Sequence, residues 1–156
     1  MNNSKNERGF TLPELLVVAV FFCCLALLTV WLLHPKNYEV EKRNAQRWTG
    51  IAAIAQAVNR YVAANNGQLP QGLSTKSASI TSANTGFNLC AELVPAYFPV
   101  VPLDPSGGLD LGKGDCADPS SLYVSGYSIY APNDHTVIIG APHAENKEKI
   151  SITRNY

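Results

Sequence analysis

An apolar run near the N-terminus decides the fold: residues 15–33 read Leu-Leu-Val-Val-Ala-Val-Phe-Phe-Cys-Cys-Leu-Ala-Leu-Leu-Thr-Val-Trp-Leu-Leu. The run has no charged side chain, and Thr29 is its one polar residue. At the helical rise of 1.5 Å per residue it would be about 28 Å long, close to the thickness of a bilayer core. Trp31 lies near its far end, where aromatic side chains are enriched at membrane interfaces. The run therefore predicts a transmembrane helix.

Two other kinds of segment are also apolar: the core helix of a soluble protein and a cleaved secretory signal. A secretory signal usually has an apolar region of about 7–15 residues and a cleavage site with a small-x-small pattern. This run is longer, and residues 31–35 read Trp-Leu-Leu-His-Pro without such a pattern. Cys23 follows the bulky Phe22, which disfavours a lipoprotein attachment site. We therefore interpret the segment as a retained anchor.

A carboxylate stands at the start of this run, because residues 8–14 read Arg-Gly-Phe-Thr-Leu-Pro-Glu. Placing a charge near hydrocarbon costs about 2.5–3.5 kcal/mol, so Glu14 predicts a functional role and a cationic partner. The alternative is a carboxylate that extends to the membrane surface and has no specific partner.

The overall composition limits the class of protein. A chain of 156 residues has room for one globular domain and an anchor. Twelve Lys and Arg residues balance twelve Asp and Glu residues, which argues against a basic nucleic-acid surface. Lys5 and Arg8 precede the apolar run and further basic residues follow it, so the flanking charges leave its orientation open.

The four cysteines fall into two pairs. Cys23 and Cys24 lie in the apolar run, where they are expected to act as small apolar residues. Cys90 and Cys116 lie in the polar half of the chain. In a chain with a membrane-targeting segment, such a pair predicts a disulfide in an exported domain, and two free thiols are the alternative.

A second helix is predicted after a break at His34-Pro35, since proline lacks the N–H that a helix interior needs. Apolar residues recur there at a spacing of three and four, namely Trp48, Ile51, Ile54, Ala55, Val58, Tyr61 and Val62. The opposite, polar face holds Gln46, Arg47, Thr49, Gln56, Asn59 and Arg60. The residues Asn65-Asn66-Gly67 predict the end of this helix, because Asn and Gly favour the left-handed cap.

The C-terminal half predicts a small antiparallel sheet. Residues 71–88 are expected to form a loop that can contain short strands, and residues 91–97 a short helical turn. Runs rich in β-branched and aromatic residues predict three or four strands at 123–124, 127–130, 136–139 and 150–153. The predicted fold is therefore α+β, with a long N-terminal helix, half membrane-spanning and half amphipathic, packed on a small antiparallel β-sheet.

The stretch Gly9-Phe10-Thr11-Leu12-x-Glu14, continued by Leu-Leu-Val-Val, resembles the N-terminal signal of type IV pilins and type II secretion pseudopilins. The Asn-Gly-Gln-Leu-Pro segment at 66–70 and the Pro-Leu-Asp-Pro segment at 102–105 are also similar to the major pseudopilins of that family. Two residues depart from its pattern. Pro13 stands where the family usually has an aliphatic residue, and the proline of its membrane helix is displaced to Pro35.

This resemblance implies that a membrane aspartyl peptidase cuts after Gly9 and N-methylates Phe10. The new α-amino group at Phe10 would be a cation, and Glu14 could pair with that of a neighbouring subunit. This ion pair would stabilise one stagger of the packed helices and make other staggers less stable. The implied organisation is a leader at 1–9, a transmembrane and assembly helix at 10–34, the amphipathic half of the helix at 35–66, and an exported globular α+β domain at 67–156.

The function implied by the resemblance is that of a structural subunit in a type IV pilus-like or type II secretion pseudopilus filament. The expected partners are further copies of the chain, the prepilin peptidase, an inner-membrane assembly platform with minor pilins, and membrane lipid before assembly. The expected location is the inner membrane, with the C-terminal domain outside the cytoplasm, and then a periplasmic or extracellular filament. The alternative is a monomeric anchored binding module for a ligand or for DNA uptake. No motif predicts catalysis.

Calcium is the one cofactor that the sequence suggests. Carboxylates that could bind Ca²⁺ cluster in and just after the Gly-rich segment that ends at Cys116, at Asp104, Asp110, Asp115 and Asp118. Asp and Gly are also ordinary turn residues, and no 12-residue calcium loop occurs. The sequence therefore leaves both interpretations of this cluster open.

Overall fold

The computed structural model of the chain describes residues 11–32, 38–83, 85–110, 116 and 122–156. The chain divides into two compact units, Met1–Asn37 and Tyr38–Tyr156. In the first unit the described residues form helix α1, Leu12–Leu32. The second unit contains helices α2 (Tyr38–Ala64) and α3 (Leu89–Glu92) and strands β1 (Ala78–Thr81), β2 (Leu109–Asp110), β3 (Tyr123–Asn133), β4 (Thr136–Ala141) and β5 (Ile150–Asn155).

Helix α1 is long and apolar enough to cross a membrane, and no residue in it is buried. Its polar side chain Thr29 is satisfied within the helix, because the hydroxyl donates to the carbonyl of Ala26 at 2.8 Å. The transmembrane length predicted from the sequence is thus confirmed for this helix. The predicted break at His34-Pro35 and the junction of the two helices lie outside the described residues.

Helix α2 is amphipathic, as predicted. Most of its buried apolar residues follow the spacing of one helical face, and they include Ile51, Ile54, Ala55, Val58 and Val62. The helix ends where the sequence predicts, since Asn66 and Gly67 both have positive φ angles, 55° and 84°. The amide of Gly67 donates to the carbonyl of Val62 at 2.9 Å, which satisfies one of the last carbonyls of the helix.

The sheet is antiparallel, with the strand order β1-β3-β4-β5 and β2 paired to β3. Tyr130 of β3 lies opposite Ile138 of β4, which in turn lies opposite Thr153 of β5. The two runs predicted at 123–124 and 127–130 form one strand, β3, and the residues between them lie at a shift of register in its pairing with β1. The predicted α+β class with a small antiparallel sheet is confirmed, and the two-residue β2 was not predicted.

The hydrophobic core lies between α2 and the inner face of the sheet. Alternate residues of the strands are buried in it, including Tyr127, Ile129, Val137 and Ile139. Each fully buried aliphatic side chain of this size contributes about 1.5–3 kcal/mol relative to exposure. Packing on the sheet therefore stabilises α2.

A glycine allows the closest approach of α2 to the sheet. A Cβ atom at Gly50 would meet the phenol oxygen of Tyr127, and it would lie 2.7 Å from the Cζ atom of that ring. Burial raises the pKa of Tyr127 to about 12. Glycine costs helix stability, and here its lack of a side chain makes room for a buried aromatic ring.

A disulfide joins Cys90 to Cys116, as the sequence predicts, with a Cα–Cα distance of 5.4 Å. Cys90 belongs to α3, whose first turn is capped by Asn88, since the Asn88 Oδ1 atom accepts from the amide of Cys90 at 2.9 Å. The hydroxyl of Tyr123 donates to the same Oδ1 at 2.9 Å and accepts from the amide of Leu89 at 2.8 Å. Strand β3 therefore holds the start of the disulfide-bearing helix.

Candidate functional sites: an exposed apolar helix and a buried ionic cluster

The first turn of α1 engages Glu14 within its own chain. The Glu14 Oε2 atom lies 3.4 Å from the amide nitrogen of Thr11 and 3.5 Å from its hydroxyl oxygen. The carbonyl of Thr11 accepts from the amides of Glu14 and Leu15 at 3.0 and 3.1 Å. The Glu14 carboxylate thus makes one of the two contacts of a capping box, the one to the N-cap amide, and the Thr-x-x-Glu spacing is the signal that predicts it. The sequence had predicted either a cationic partner outside the chain for Glu14 or no specific partner at all.

These contacts hold the carboxylate only loosely. Both distances to Thr11 lie at the long end of the hydrogen-bond range, where the interaction is weak. The partial positive charge of the helix N-terminus adds a modest attraction. Glu14 is therefore free to exchange the contacts with Thr11 for a stronger cationic partner. The predicted cleavage residues Gly9 and Phe10 lie outside the described residues.

The lateral surface of α1 is apolar on every side. Its large side chains are 41–79 % exposed, and they include Leu12, Leu15, Leu16, Val17, Val18, Val20, Phe21, Phe22, Leu25, Leu27, Leu28, Val30, Trp31 and Leu32. A helix that is hydrophobic all round is normally covered by lipid or by other helices. No residue of α1 is buried in the structure.

A cluster of charged and polar side chains is buried in the second unit around Arg47. The side chains of Arg47 and Asp104 are both fully buried, and the Arg47 Nε atom donates to the Asp104 Oδ2 atom at 2.8 Å. Arg47 also donates to Ser106, Asn44 and Glu145 at 2.6, 2.7 and 3.0 Å. Burial lowers the pKa of Arg47, but its hydrogen bonds to the two carboxylates outweigh burial and raise it. Arg47 is therefore a charged residue inside the domain.

Asp104 is held by the backbone as well as by Arg47. Its Oδ1 atom accepts from the amides of Ser106 and Gly107, both at 2.8 Å, and from the Ser106 hydroxyl at 3.0 Å. Burial alone would raise the pKa of Asp104, whereas the hydrogen bonds from Arg47 and then from these amides lower it below its ordinary value. Asp104 therefore stays ionised in the folded domain.

Glu145 closes the cluster on the solvent side, where its side chain is 31 % exposed. Arg43 forms a fork with it, with distances of 2.7 and 2.6 Å from Nε and Nη2 to the two carboxylate oxygens. The hydrogen bond from Arg43 is the main reason that the pKa of Glu145 falls to about 2. Glu148 lies in the same loop as Glu145, between β4 and β5. Asn44 and Trp48 both donate to Glu148, at 2.6 and 3.2 Å, and so connect this loop to α2.

Two expectations for α2 were wrong. Arg47 was placed on the solvent-facing polar side, but its side chain is fully buried. Its carboxylate partners lie 57 and 98 residues away in the sequence, so no local spacing could indicate them. Trp48 was placed on the packed face, but it remains 40 % exposed and binds Glu148 through its indole N–H.

The structure does not bring the predicted calcium ligands together within the residues it describes. Asp104 is occupied by Arg47, Ser106 and Gly107, so it is not free to coordinate calcium. Asp110 lies in β2, and Asp115 and Asp118 lie outside the described residues. Across the described ranges, no group of three or more His, Cys, Asp or Glu residues is disposed to hold a metal ion.

A small apolar cleft lies beside strands β2 and β3. Its volume is about 210 Å³, and its walls include Thr81, Leu109, Leu122 and Val124. Pockets for small molecules usually measure about 300–1,000 Å³ and carry a few converging polar groups. This cleft is smaller and almost wholly apolar, so it gives little support to binding of a polar ligand.

No protein-family model matches the chain, and neither does any curated protein or solved structure. The two features of the structure that bear on function are the exposed apolar helix and the ionic cluster of the folded unit.

Proposed function

We propose that this protein is a structural subunit of a type IV pilus-like or type II secretion pseudopilus filament. A peptidase removes residues 1–9 and methylates Phe10, and the α1 helices of neighbouring copies then pack together. The observation that carries the proposal is the surface of α1, which is apolar on every side, exposed along its whole length, and carries one loosely held carboxylate in the first turn.

Lipid would cover such a helix as well as a filament does, so the apolar surface alone does not distinguish the two. Glu14 favours the filament. Next to hydrocarbon its charge is costly, and the cap from Thr11 compensates for it only in part. Cleavage after Gly9 creates a cation at Phe10, which a neighbouring Glu14 can bind when the two helices are staggered.

This pair would set the register of assembly more than its strength. Removing one partner of a buried ion pair costs about 3–5 kcal/mol, because the other charge remains without compensation. A stagger that joins Glu14 to a neighbouring terminus is therefore favoured over one that leaves both charges in an apolar bundle. The attraction between copies comes mainly from close packing of apolar side chains.

The proposed location rests on helix α1 and on the disulfide. Helix α1 anchors the subunit in the inner membrane, and the disulfide at Cys90 and Cys116 is typical of an oxidising compartment outside the cytoplasm. The subunit then joins a periplasmic or extracellular filament. Its proposed partners are other copies, the prepilin peptidase, membrane lipid, and an inner-membrane platform with minor pilins.

Co-expression of the full chain with a prepilin peptidase tests the processing step. Intact mass of the membrane-bound product should show the loss of residues 1–9 and the gain of one methyl group. A Gly9→Leu variant serves as the control, because a bulky side chain at the cleavage site should leave the leader in place. A wild-type chain that keeps its leader beside an active peptidase contradicts the proposal and favours the monomeric anchored binding module.

A further inference from the structure

We propose that strand β5 is the surface through which two copies of this chain join edge to edge. The partner is a second copy whose β5 runs antiparallel to the first, so that the two sheets become one. This inference rests on the folded unit and involves neither α1 nor Glu14. It is therefore independent of whether the chain forms a filament.

The two edges of the sheet differ. The outer edge of β1 is covered by its own chain, because the amide of Thr81 donates to the carbonyl of Phe87 at 3.0 Å and the amide of Phe87 donates to the carbonyl of Ser79 at 2.9 Å. Strand β5 forms the opposite edge, and its six residues pair with β4 without a bulge. In the part of the chain that the structure describes, no backbone hydrogen bond reaches the outer side of β5. A regular edge of this kind is a template for pairing with another strand.

Alternate residues of β5 direct their backbone groups to this open side. The amide of Tyr156 donates to the carbonyl of His135 at 2.7 Å, which continues the register of β5 on β4. Hydrogen-bonded pairs alternate with non-hydrogen-bonded pairs along an antiparallel ladder. The N–H and C=O groups of Asn155, Thr153 and Ser151 therefore point away from β4. An extended backbone offers the matching alternation of donors and acceptors.

A second copy of β5 matches this edge. With Thr153 opposite its own counterpart, Ser151 of each copy lies opposite Asn155 of the other, and all the outward-facing residues are paired. In this register Arg154, the one charged residue of the strand, lies opposite Ile152 and not opposite a second arginine. Because like charges directly opposite each other destabilise a strand pair, the charge pattern is compatible with a contact between copies.

Helix α2 runs beside β5 and leaves room for this pairing. It packs on β4 and β5, and two side-chain contacts connect it to the residues on either side of β5. The indole of Trp48 donates to Glu148 at 3.2 Å, before the strand. The hydroxyl of Tyr156 donates to Asn59 at 2.7 Å, after the strand. Between these two contacts the same flank of the helix carries Ala52, whose side chain is small.

The spacing of strands and helices favours a second copy over an isolated peptide. Neighbouring strands lie about 4.8 Å apart, so joining the two β5 strands would place the two α2 helices about 10 Å apart on one face of the sheet. Helices pack at interaxial distances of about 8–10 Å. The surface of α2 has a shallow hollow of about 520 Å³ that can take side chains of the facing helix, and it is lined by Trp48, Thr49, Ala52, Ala53 and Gln56. A peptide strand alone would pair with β5 and leave this hollow open.

Disulfide cross-linking of the full chain in detergent tests the register. Thr153→Cys is combined with Cys23→Ala and Cys24→Ala, which remove the free cysteines of α1. Mild oxidation should convert at least about half of this chain to a cross-linked dimer, because facing Cα atoms of a hydrogen-bonded pair lie about 5.5 Å apart, within disulfide reach. Ser151→Cys in the same background is the matched control. It should yield at least about fivefold less dimer, since its counterpart in the other copy lies more than about 13 Å away.

Multi-angle light scattering of the full chain in detergent tests the dimer itself. The wild-type chain should be mainly dimeric at about 100 µM. Thr153→Pro removes an outward N–H group and no hydrogen bond to β4, so it should weaken the dimer at least about tenfold. Ala52→Arg places a large side chain between the two α2 helices and should weaken it to a similar degree. Ala91→Arg makes the same change at an exposed position of α3 and should leave the dimer intact. Near-ultraviolet circular dichroism checks that each variant is folded.

Three results would overturn the inference. The first is a wild-type chain that stays monomeric at this concentration. The second is a dimer that persists unchanged in folded Thr153→Pro and Ala52→Arg chains, as expected if copies associate through α1 instead. The third is equal cross-linking of Thr153→Cys and Ser151→Cys, which would contradict the register. None of these outcomes bears on cleavage of the leader, so this inference and the proposed function can fail separately.

Discussion

Helices α1 and α2 have similar lengths, 21 and 27 residues, but they differ sharply in burial. In α1 no residue is buried, whereas α2 buries nine, two of which are the polar residues Asn44 and Arg47. The partner of α2 is the sheet of its own unit. The comparison teaches that one apolar helix can be buried within its own unit while another leaves its apolar surface exposed, and the proposed filament would cover the exposed one.

The charged residues of the two helices differ in the same way. Arg47 in α2 has five oxygen contacts and is enclosed by its partners, so its role is complete within the subunit. Glu14 in α1 has two long contacts to a neighbouring residue and stays exposed. The charge of Arg47 is fully paired within the subunit. The charge of Glu14 is only loosely held, so in the proposed filament it can bind a cation of a neighbouring copy.

The largest expected effect is on assembly. Glu14→Ala should reduce the filament yield at least about tenfold, because breaking the buried pair costs about 3–5 kcal/mol per contact. The Tm of the folded unit should not change, since the contacts of Glu14 in the structure are to Thr11. Shear fractionation and electron microscopy of producing cells measure the yield.

Thr29→Val is the matched control for Glu14→Ala. The Thr29 hydroxyl bonds to a carbonyl of its own helix, so its loss should leave assembly near the wild-type level. Filaments of normal number and length from Glu14→Ala would show that the carboxylate has no part in register. The contrast between the two helices would then hold for packing but not for charge.

The next effect concerns stability alone. Asp104→Asn should lower the free energy of unfolding by about 3–5 kcal/mol, because Arg47 would stay charged and buried without its main partner. Asp134→Asn makes the same chemical change at an exposed turn and should have little effect. Urea unfolding of the full chain in detergent measures both. Equal stability of the two variants would contradict the role given to the cluster.

A smaller effect tests the contact between α2 and the sheet. Gly50→Ala overpacks the site against Tyr127 and should cost about 1–3 kcal/mol, more than the gain of up to about 1 kcal/mol from helix propensity. In a Tyr127→Phe background the same substitution should cost less, because the phenol oxygen that the new methyl group would meet is gone. Additive costs in a double-mutant cycle would place the strain elsewhere.

The smallest effect is the dependence of stability on pH. The pKa values of Asp104 and Glu145 are lowered in the folded state, the latter to about 2, whereas those of unfolded carboxyls lie near 4. Both groups therefore contribute stability above about pH 4.5, and that contribution is lost as the pH falls toward about 2.

Acid unfolding of the full chain in detergent measures this dependence. The Tm should decline with falling pH over that window, and less steeply for Asp104→Asn, which lacks one of the two groups. An acid profile of Asp104→Asn as steep as that of the wild-type chain would contradict the link between these pKa values and stability.

Local patterns predicted much of this fold. The spacing of Ile51, Ile54 and Val58 predicted the buried face of α2, and Asn66-Gly67 predicted its end, because both depend on neighbours a few residues apart. The disulfide was predicted from the compartment and the count of cysteines. The Thr-x-x-Glu cap could have been predicted from the same kind of local pattern.

The ionic cluster could not be predicted. Arg47 looks like one of several polar residues on the solvent side of a helix, and its partners come from loops that only the folded unit brings together. The sequence did single out Asp104, as a carboxylate in a turn that could bind a cation. Whether that cation is calcium or an arginine side chain depends on tertiary contacts. The local sequence therefore indicated the acid, and the fold identified its partner.

The intact mass of the chain recovered from filaments sheared off producing cells tests the central proposal most directly. The account predicts a polypeptide that begins at N-methylated Phe10, with α1 intact and the first nine residues absent. Filaments that contain the unprocessed chain, or a processed chain that never leaves the membrane fraction as polymer, would contradict the assignment of α1 as the assembly surface.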